Sequence, residues 1–232
     1  MQTANIESRI ARVRDTISAA AARVGRDPGK VTVVAVTKGH PAEVVQAALD
    51  AGIEDIGENR VEELEEKVER IGRHACRWHM VGHVQRRKAP QVLELADILH
   101  SLGSVRLAER FERVFPEDGR DPFPVLVQVN TSGEESKGGF EPEGILGELE
   151  AILALPSLRV QGLMTMAPLT DDEVVLRRAF GRLREVHRSA LTLPGYSGQE
   201  LSMGMSNDYA IAVEEGSTMV RLGTALLGER PR

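Results

Sequence analysis

The chain of 232 residues has a single cysteine, Cys76, so it forms no internal disulfide and suits a reducing compartment. It has no long uncharged apolar run: charges recur through the N-terminal "MQTANIESRIARVRDTISAAAARVG", which reads as neither signal peptide nor membrane span. A basic excess is missing too, and a net charge of -6 argues against non-specific nucleic-acid binding. The histidines (His40, His74, His79, His83, His100 and His187) show no HxH or HExxH spacing, so no metal site is read from them. What is present is ordinary for a globular protein with a real core, 41% hydrophobic and 28% charged. The expectation is a cytoplasmic protein that recognises a small molecule, without nucleic-acid or membrane contacts.

Ile6, Ile10, Val13, Ile17, Ala20 and Val24 recur at intervals of three and four, which predicts an amphipathic helix within residues 1–25. Beyond it, strand-like and helix-like segments alternate. "VTVVAV" reads as a strand, and "PAEVVQAALDAG" as a helix with Pro41 in its first turn and Gly52 at its end. "IEDIGE" then pairs with "RVEELEEKVERI", whose charges read as a solvated face, "RWHMVG" with "KAPQVLELA", and "DILHSL" with "VRLAERFERVF". "PVLVQVN" pairs with "GILGELEAILAL", and "RVQGLMTM" with the stretch from Asp172 to Leu191; "ELSMGMS" with "NDYAIAVEEG" and "TMVRLG" with "TALLG" complete the series. Such alternation implies an α/β protein with a parallel sheet. Its eight units predict closure into a (β/α)8 TIM barrel with an extra N-terminal helix, an open doubly wound sheet being the alternative. No linker interrupts the series, so residues 1–232 read as one domain.

In such a barrel the functional face is the C-terminal end of the strands. Lys38, the segment Gly57–Asn59, His83, His100 with Ser101, Asn130 and Met164–Met166 fall there, followed by Met205, Ser206, Arg221, Gly223 and Thr224. "GMSND" and "LGTALLG" each offer backbone N–H groups and a hydroxyl, as a phosphate monoester requires; helix capping by Ser206, Asn207 and Thr224 is the plain alternative. A buried-strand lysine facing a phosphate site leaves two chemical readings, a sugar-phosphate aldolase or a pyridoxal phosphate protein. Arg221 could hydrogen-bond a pyridine nitrogen without protonating it, or simply form a rim salt bridge with Glu58. His83 and His100 are candidate ligand contacts at the rim. The two tyrosines, Tyr196 and Tyr209, read as packing residues, so no second base for racemisation is evident.

At these residues the chain resembles the pyridoxal phosphate homeostasis proteins, which are similar to the barrel domain of alanine racemase. The resemblance is carried by "AVTKGHPAEVVQAALDAGIEDIGENRVEE", "WHMVGHVQRRK", "VNTSGEESKGGF", "VQGLMTMAP" and "LSMGMSNDYAIAVEEGSTMVRLGTALLGER". It implies that Lys38 holds pyridoxal 5'-phosphate as a Schiff base. It further implies that Ser206, Gly223 and Thr224 cradle the phosphate, that Arg221 faces the pyridine nitrogen, and that Asn59, Asn130 and Met203 line the ring pocket. The implied role is intracellular homeostasis of this cofactor without established turnover, by a monomer whose partners are pyridoxal-dependent apoenzymes. A minimal pyridoxal-dependent racemase or lyase is the alternative, and a cofactor-free aldolase a third reading. Arg60 and Arg87 depart from the tyrosine and asparagine usual in the family at those places.

Overall fold

The computed structural model describes residues 2–134 and 137–229. After helix α1 (Gln2–Arg23) come β1 (Thr32–Val36), α2 (Ala42–Asp50), β2 (Asp55–Glu58), α3 (Val61–Ile71), β3 (Arg77–Met80) and α4 (Ala89–Leu95). Then follow β4 (Ile98–Leu102), α5 (Val105–Val114), β5 (Phe123–Gln128), α6 (Ile145–Leu153), β6 (Leu158–Met164) and α7 (Glu173–Ala190). The chain ends with β7 (Glu200–Ser202), α8 (Tyr209–Glu214), β8 (Met219–Leu222) and the short α9 (Thr224–Leu227). All neighbouring strands pair in parallel and β8 returns to β1, so the sheet closes as a barrel, without the edges of an open sheet.

The composition of the strands fits a parallel sheet covered on both faces. Successive residues of a strand point to opposite faces, and here both faces are covered. On the outer face Ala35, Ile56, Trp78, Leu99, Val125, Leu163, Leu201 and Leu222 belong to one large apolar cluster shared with the helices. On the inner face a small separate cluster forms from Ile98, Leu126, Met164 and Met219. Inward positions of β2, β3, β4, β7 and β8 also carry the buried polar residues Asp55, His79, His100, Ser202 and Arg221. The barrel interior is thus partly apolar and partly hydrogen-bonding.

Helix α1 packs against α2, α8 and α9. It buries Ile6, Ile10, Val13, Ile17, Ala20 and Ala21. Each isoleucine so covered contributes about 1.5–3 kcal/mol. Val24, expected on this stripe, lies one residue past the helix and is 44% exposed; Ala21, one turn earlier, takes its place. Pro41 sits one place before α2, as its N-cap residue. None of the described helices is long and apolar enough to cross a membrane.

Candidate functional site

At the C-terminal ends of the strands lies a cavity of about 1250 Å³ to which every strand or its following loop contributes. Lys38, one residue beyond the last buried position of the β1 segment, is half-buried and lines it, as do Asn59 after β2 and His83 after β3. Ser206 after β7, Arg221 within β8, and Gly223 and Thr224 where α9 opens line the same space. Ser206 does not cap its own helix. Its Oγ accepts from the Ala225 N–H across the cavity wall at 3.2 Å, which ties the seventh loop to the start of α9. The Asp208 carboxylate accepts from Met205 N–H at 2.5 Å, and burial raises its pKa against the pull of that bond and of Arg221. Gly204 makes this loop: its φ is +98°, and a Cβ there would come within 2.6 Å of the Ala212 side chain. Gly82 has a similar duty, since a Cβ would meet the Asn59 carbonyl at 2.1 Å.

Asn130 and Met203 are not among the cavity-lining residues. Asn130 Nδ2 donates to the Glu134 carbonyl at 3.2 Å and Oδ1 accepts from Ser132, so this side chain shapes its own loop. Met203 is fully buried in the outer core. His100 also differs from its expected place. It is the third residue of β4, points into the barrel and is fully buried, whereas His83 is exposed at the cavity. Among the described residues, no group of three or more His, Cys, Asp or Glu side chains could hold a metal ion.

Arg221 is 5% exposed, and only toward the cavity it lines. Nη1 donates to Ser202 Oγ at 2.6 Å and Nη2 to the Thr165 carbonyl at 2.8 Å, while burial pushes its pKa down to about 10, opposed by Asp208. The salt bridge to Glu58 considered from the sequence does not form. Glu58 faces outward to α3, where it pairs with Lys67 and accepts from Thr37 Oγ1. Lys67 is only 3% exposed, so one position of the "EELEEKVER" face is not solvated. Its Nζ also donates to the Thr37 carbonyl at 2.8 Å, fixing the residue before Lys38. Burial raises the Glu58 pKa against these contacts, and Oε2 of this carboxyl has no hydrogen-bond partner. A sequence signal for Lys67 exists: it stands three residues after Leu64 and four before Ile71, beside the apolar stripe of α3.

Further cavity residues come from the loop after β5. Gln128 Nε2 donates to the carbonyls of Lys137 and Gly138 at 2.6 and 3.2 Å, and all three line the cavity with Gly139. Tyr196 is 6% exposed, with its hydroxyl 3.0 Å from His187 Nδ1, and Tyr209 packs on the outer core; neither lines the cavity. Arg60 and Arg87 are exposed. Cys76 is half-buried beside β3, and burial pushes its thiol up to about 12.

A family model described as the alanine racemase N-terminal domain matches residues 9–231. The chain is 40% identical to the pyridoxal phosphate homeostasis protein of Pseudomonas aeruginosa over 226 residues, 97% of this chain and 96% of that one. It is 38% identical to the protein of the same name from Escherichia coli K12, covering 97% of each chain. Among solved structures, PipY of Synechococcus elongatus with pyridoxal phosphate bound has a TM-score of 0.83 at 33% identity, covering 96% of this chain and 100% of PipY. An alanine racemase of Clostridium difficile shares the fold at a TM-score of 0.75 and 16% identity, with 98% of this chain aligned to 57% of that one. Matched along nearly its whole length by the family model and by these relatives, the chain belongs to the alanine racemase N-terminal-domain family and, within it, to the pyridoxal phosphate homeostasis proteins.

Proposed function

We propose that this protein binds pyridoxal 5'-phosphate in the cavity at the C-terminal rim and serves intracellular homeostasis of that cofactor, holding it through Lys38. The carrying observation is the donor set on one cavity: the Lys38 amine, the Arg221 guanidinium, and the Ser206 and Thr224 hydroxyls beside Gly223. An aldehyde, a pyridine nitrogen and a phosphate monoester together ask for this combination. When bound, the cofactor supplies an aldehyde that condenses with amines and an aromatic ring that accepts electron density.

The residues divide the work. Lys38 presents its amine to the aldehyde carbon, at the end of a strand fixed by the Lys67 bond to Thr37. Ser206, Gly223 and Thr224 hold the phosphate, and Arg221 donates to the ring nitrogen without giving up its proton, which limits the ring as an electron sink. Asn59 lines the ring pocket. A holding role is favoured over racemisation because Arg221, unlike an acid at the ring nitrogen, gives little stabilisation to a carbanion, and neither tyrosine lines the cavity. In this reading the whole chain acts as one barrel domain, a cytoplasmic monomer that exchanges its cofactor with pyridoxal-dependent apoenzymes.

The test is retention. Purified protein mixed with pyridoxal phosphate should turn yellow, gain thermal stability and keep the colour through desalting. Ser206→Ala with Thr224→Ala should fold normally and release the cofactor at least about tenfold faster, through the loss of two hydroxyl donors to a charged phosphate. Colourless, unstabilised wild-type protein would refute the reading, and steady exchange of amino-acid α-protons in deuterated water would replace the holding role with catalysis.

A further inference from the structure

Beneath the cavity, buried side chains from five strands form one hydrogen-bonded line. Arg221 Nη1 donates to Ser202 Oγ at 2.6 Å, and Ser202 Oγ lies 2.9 Å from His100 Nδ1. His100 Nε2 is 2.8 Å from His79 Nδ1, and His79 Nε2 is 2.8 Å from Asp55 Oδ1. Asp55 opens β2 at the far end of the barrel, where Arg77 Nε also donates to it at 2.8 Å. Both line a second cleft of about 540 Å³ at that end. The line therefore crosses the barrel from the cavity to the opposite face.

Its direction is fixed by its ends, because a guanidinium only donates and a carboxylate only accepts. Asp55 requires a proton on His79 Nε2. Neutral His79 then has a bare Nδ1, which must accept from His100 Nε2–H. His100 Nδ1 is bare in turn and accepts the Ser202 hydroxyl hydrogen, leaving a Ser202 lone pair for Arg221. A doubly protonated His79 would reverse the bonds above it, leave the Ser202 hydroxyl hydrogen without its acceptor, and add a second buried cation in line with Arg221. Burial, together with His79 and Arg221, keeps the His100 pKa well below the ordinary histidine range, which agrees with a neutral ring. The other charged groups facing this line are Asp208 beside Arg221 and Arg77 at the base.

We propose that Asp55, His79, His100 and Ser202 are positioning residues that set one tautomer in both histidines and thereby hold Arg221 as a fixed donor toward the cofactor's ring nitrogen. This rests on the reading of the cavity given above. Bonds aligned in one direction polarise one another, so the Asp55 charge strengthens the Ser202 oxygen as an acceptor although it lies at the other end of the barrel. The outcome is an arginine that keeps its proton and its orientation in a buried site. Neutral relays between the two charges avoid placing a third ion in the interior.

The test uses the full chain, apo and loaded with pyridoxal phosphate. Long-range proton–nitrogen NMR of the histidine rings at neutral pH should show His79 and His100 as Nε2–H tautomers. Asp55→Asn keeps the shape and removes the charge; it should put at least one of the two rings into the Nδ1–H form. It should also shift the visible band of the bound cofactor and speed its release about tenfold, the scale on which partners behind a binding group act. Ser202→Ala cuts the line next to Arg221 and keeps Asp55; it should give the same spectral shift with His79 still Nε2–H, and it serves if the first variant does not fold. A doubly protonated or Nδ1–H ring in the wild-type protein would overturn the inference. Loading of the wild type, with variants that keep its spectrum and its rate of release, would overturn this inference alone. Wild-type protein that takes up no cofactor would overturn the reading of the cavity and the inference with it.

Discussion

Two buried polar networks stand behind the cavity, and they are built differently. The outward one, between β1, β2 and α3, is an ion pair: Lys67 and Glu58, with Thr37 bonded to both. The inward one joins Asp55 to Arg221 through neutral groups, and none of its fully buried side-chain atoms is unpaired. The outward network backs Lys38 and the inward one backs Arg221. The difference lies in what each network costs to disturb. A buried ion pair with an unsatisfied Glu58 oxygen depends on its partner charge, whereas neutral relays lose only local hydrogen bonds.

The largest effect should come from breaking the outward pair. Lys67→Met leaves the Glu58 carboxyl buried and uncompensated and should lower stability by about 3–5 kcal/mol in urea unfolding. Adding Glu58→Leu should restore most of that loss, since both charges are then gone. If the single variant costs no more than a surface change, the two networks do not differ as described. In the inward network Ser202→Ala should cost less, about 1–3 kcal/mol by the same assay, because it orphans neutral His100 Nδ1 and one Arg221 donor.

Acid should expose a further difference. His100 is held neutral in the fold, with its pKa lowered chiefly by burial and also by His79 and Arg221. Below 6.5 the unfolded chain binds a proton at this position that the folded chain refuses, so the unfolded state gains as pH falls. This stability is therefore complete above pH 6.5 and is lost as pH falls from there toward the folded value. His100→Gln should flatten that part of a plot of unfolding free energy against pH; an unchanged slope would mean that His100 does not carry it. The smallest effect belongs to the exposed Asp118–Arg120 pair, where Asp118→Ala should leave the unfolding midpoint unchanged within error.

How much of this was legible in the sequence differs between the same two regions. The barrel was legible because strand and helix periods alternate eight times, and the rim followed from the strand ends, which brought Lys38, Ser206, Arg221 and Thr224 to one cavity. The inward network was not. "DILHSL" is buried on both faces, so alternation alone does not say whether His100 or Leu99 points inside, and its partners His79 and Ser202 lie 21 and 102 residues away. Lys67 was hidden for another reason: it stands among acidic neighbours whose exposure masks one position turned toward Glu58. Asn130 and Met203 were named through the resemblance, and their side chains lie in a loop and in the outer core instead of on the cavity.

The central claim is that the lysine on the β1 rim, and not its buried neighbour on α3, holds the cofactor. Borohydride reduction of the loaded protein, followed by peptide mass spectrometry, tests it most directly. The yellow colour should bleach, and a reduced pyridoxyl phosphate mass should appear on the peptide containing Lys38 and be absent from Lys38→Ala protein. Stoichiometric label on Lys67 or Lys137, or undiminished labelling of Lys38→Ala protein, would contradict it.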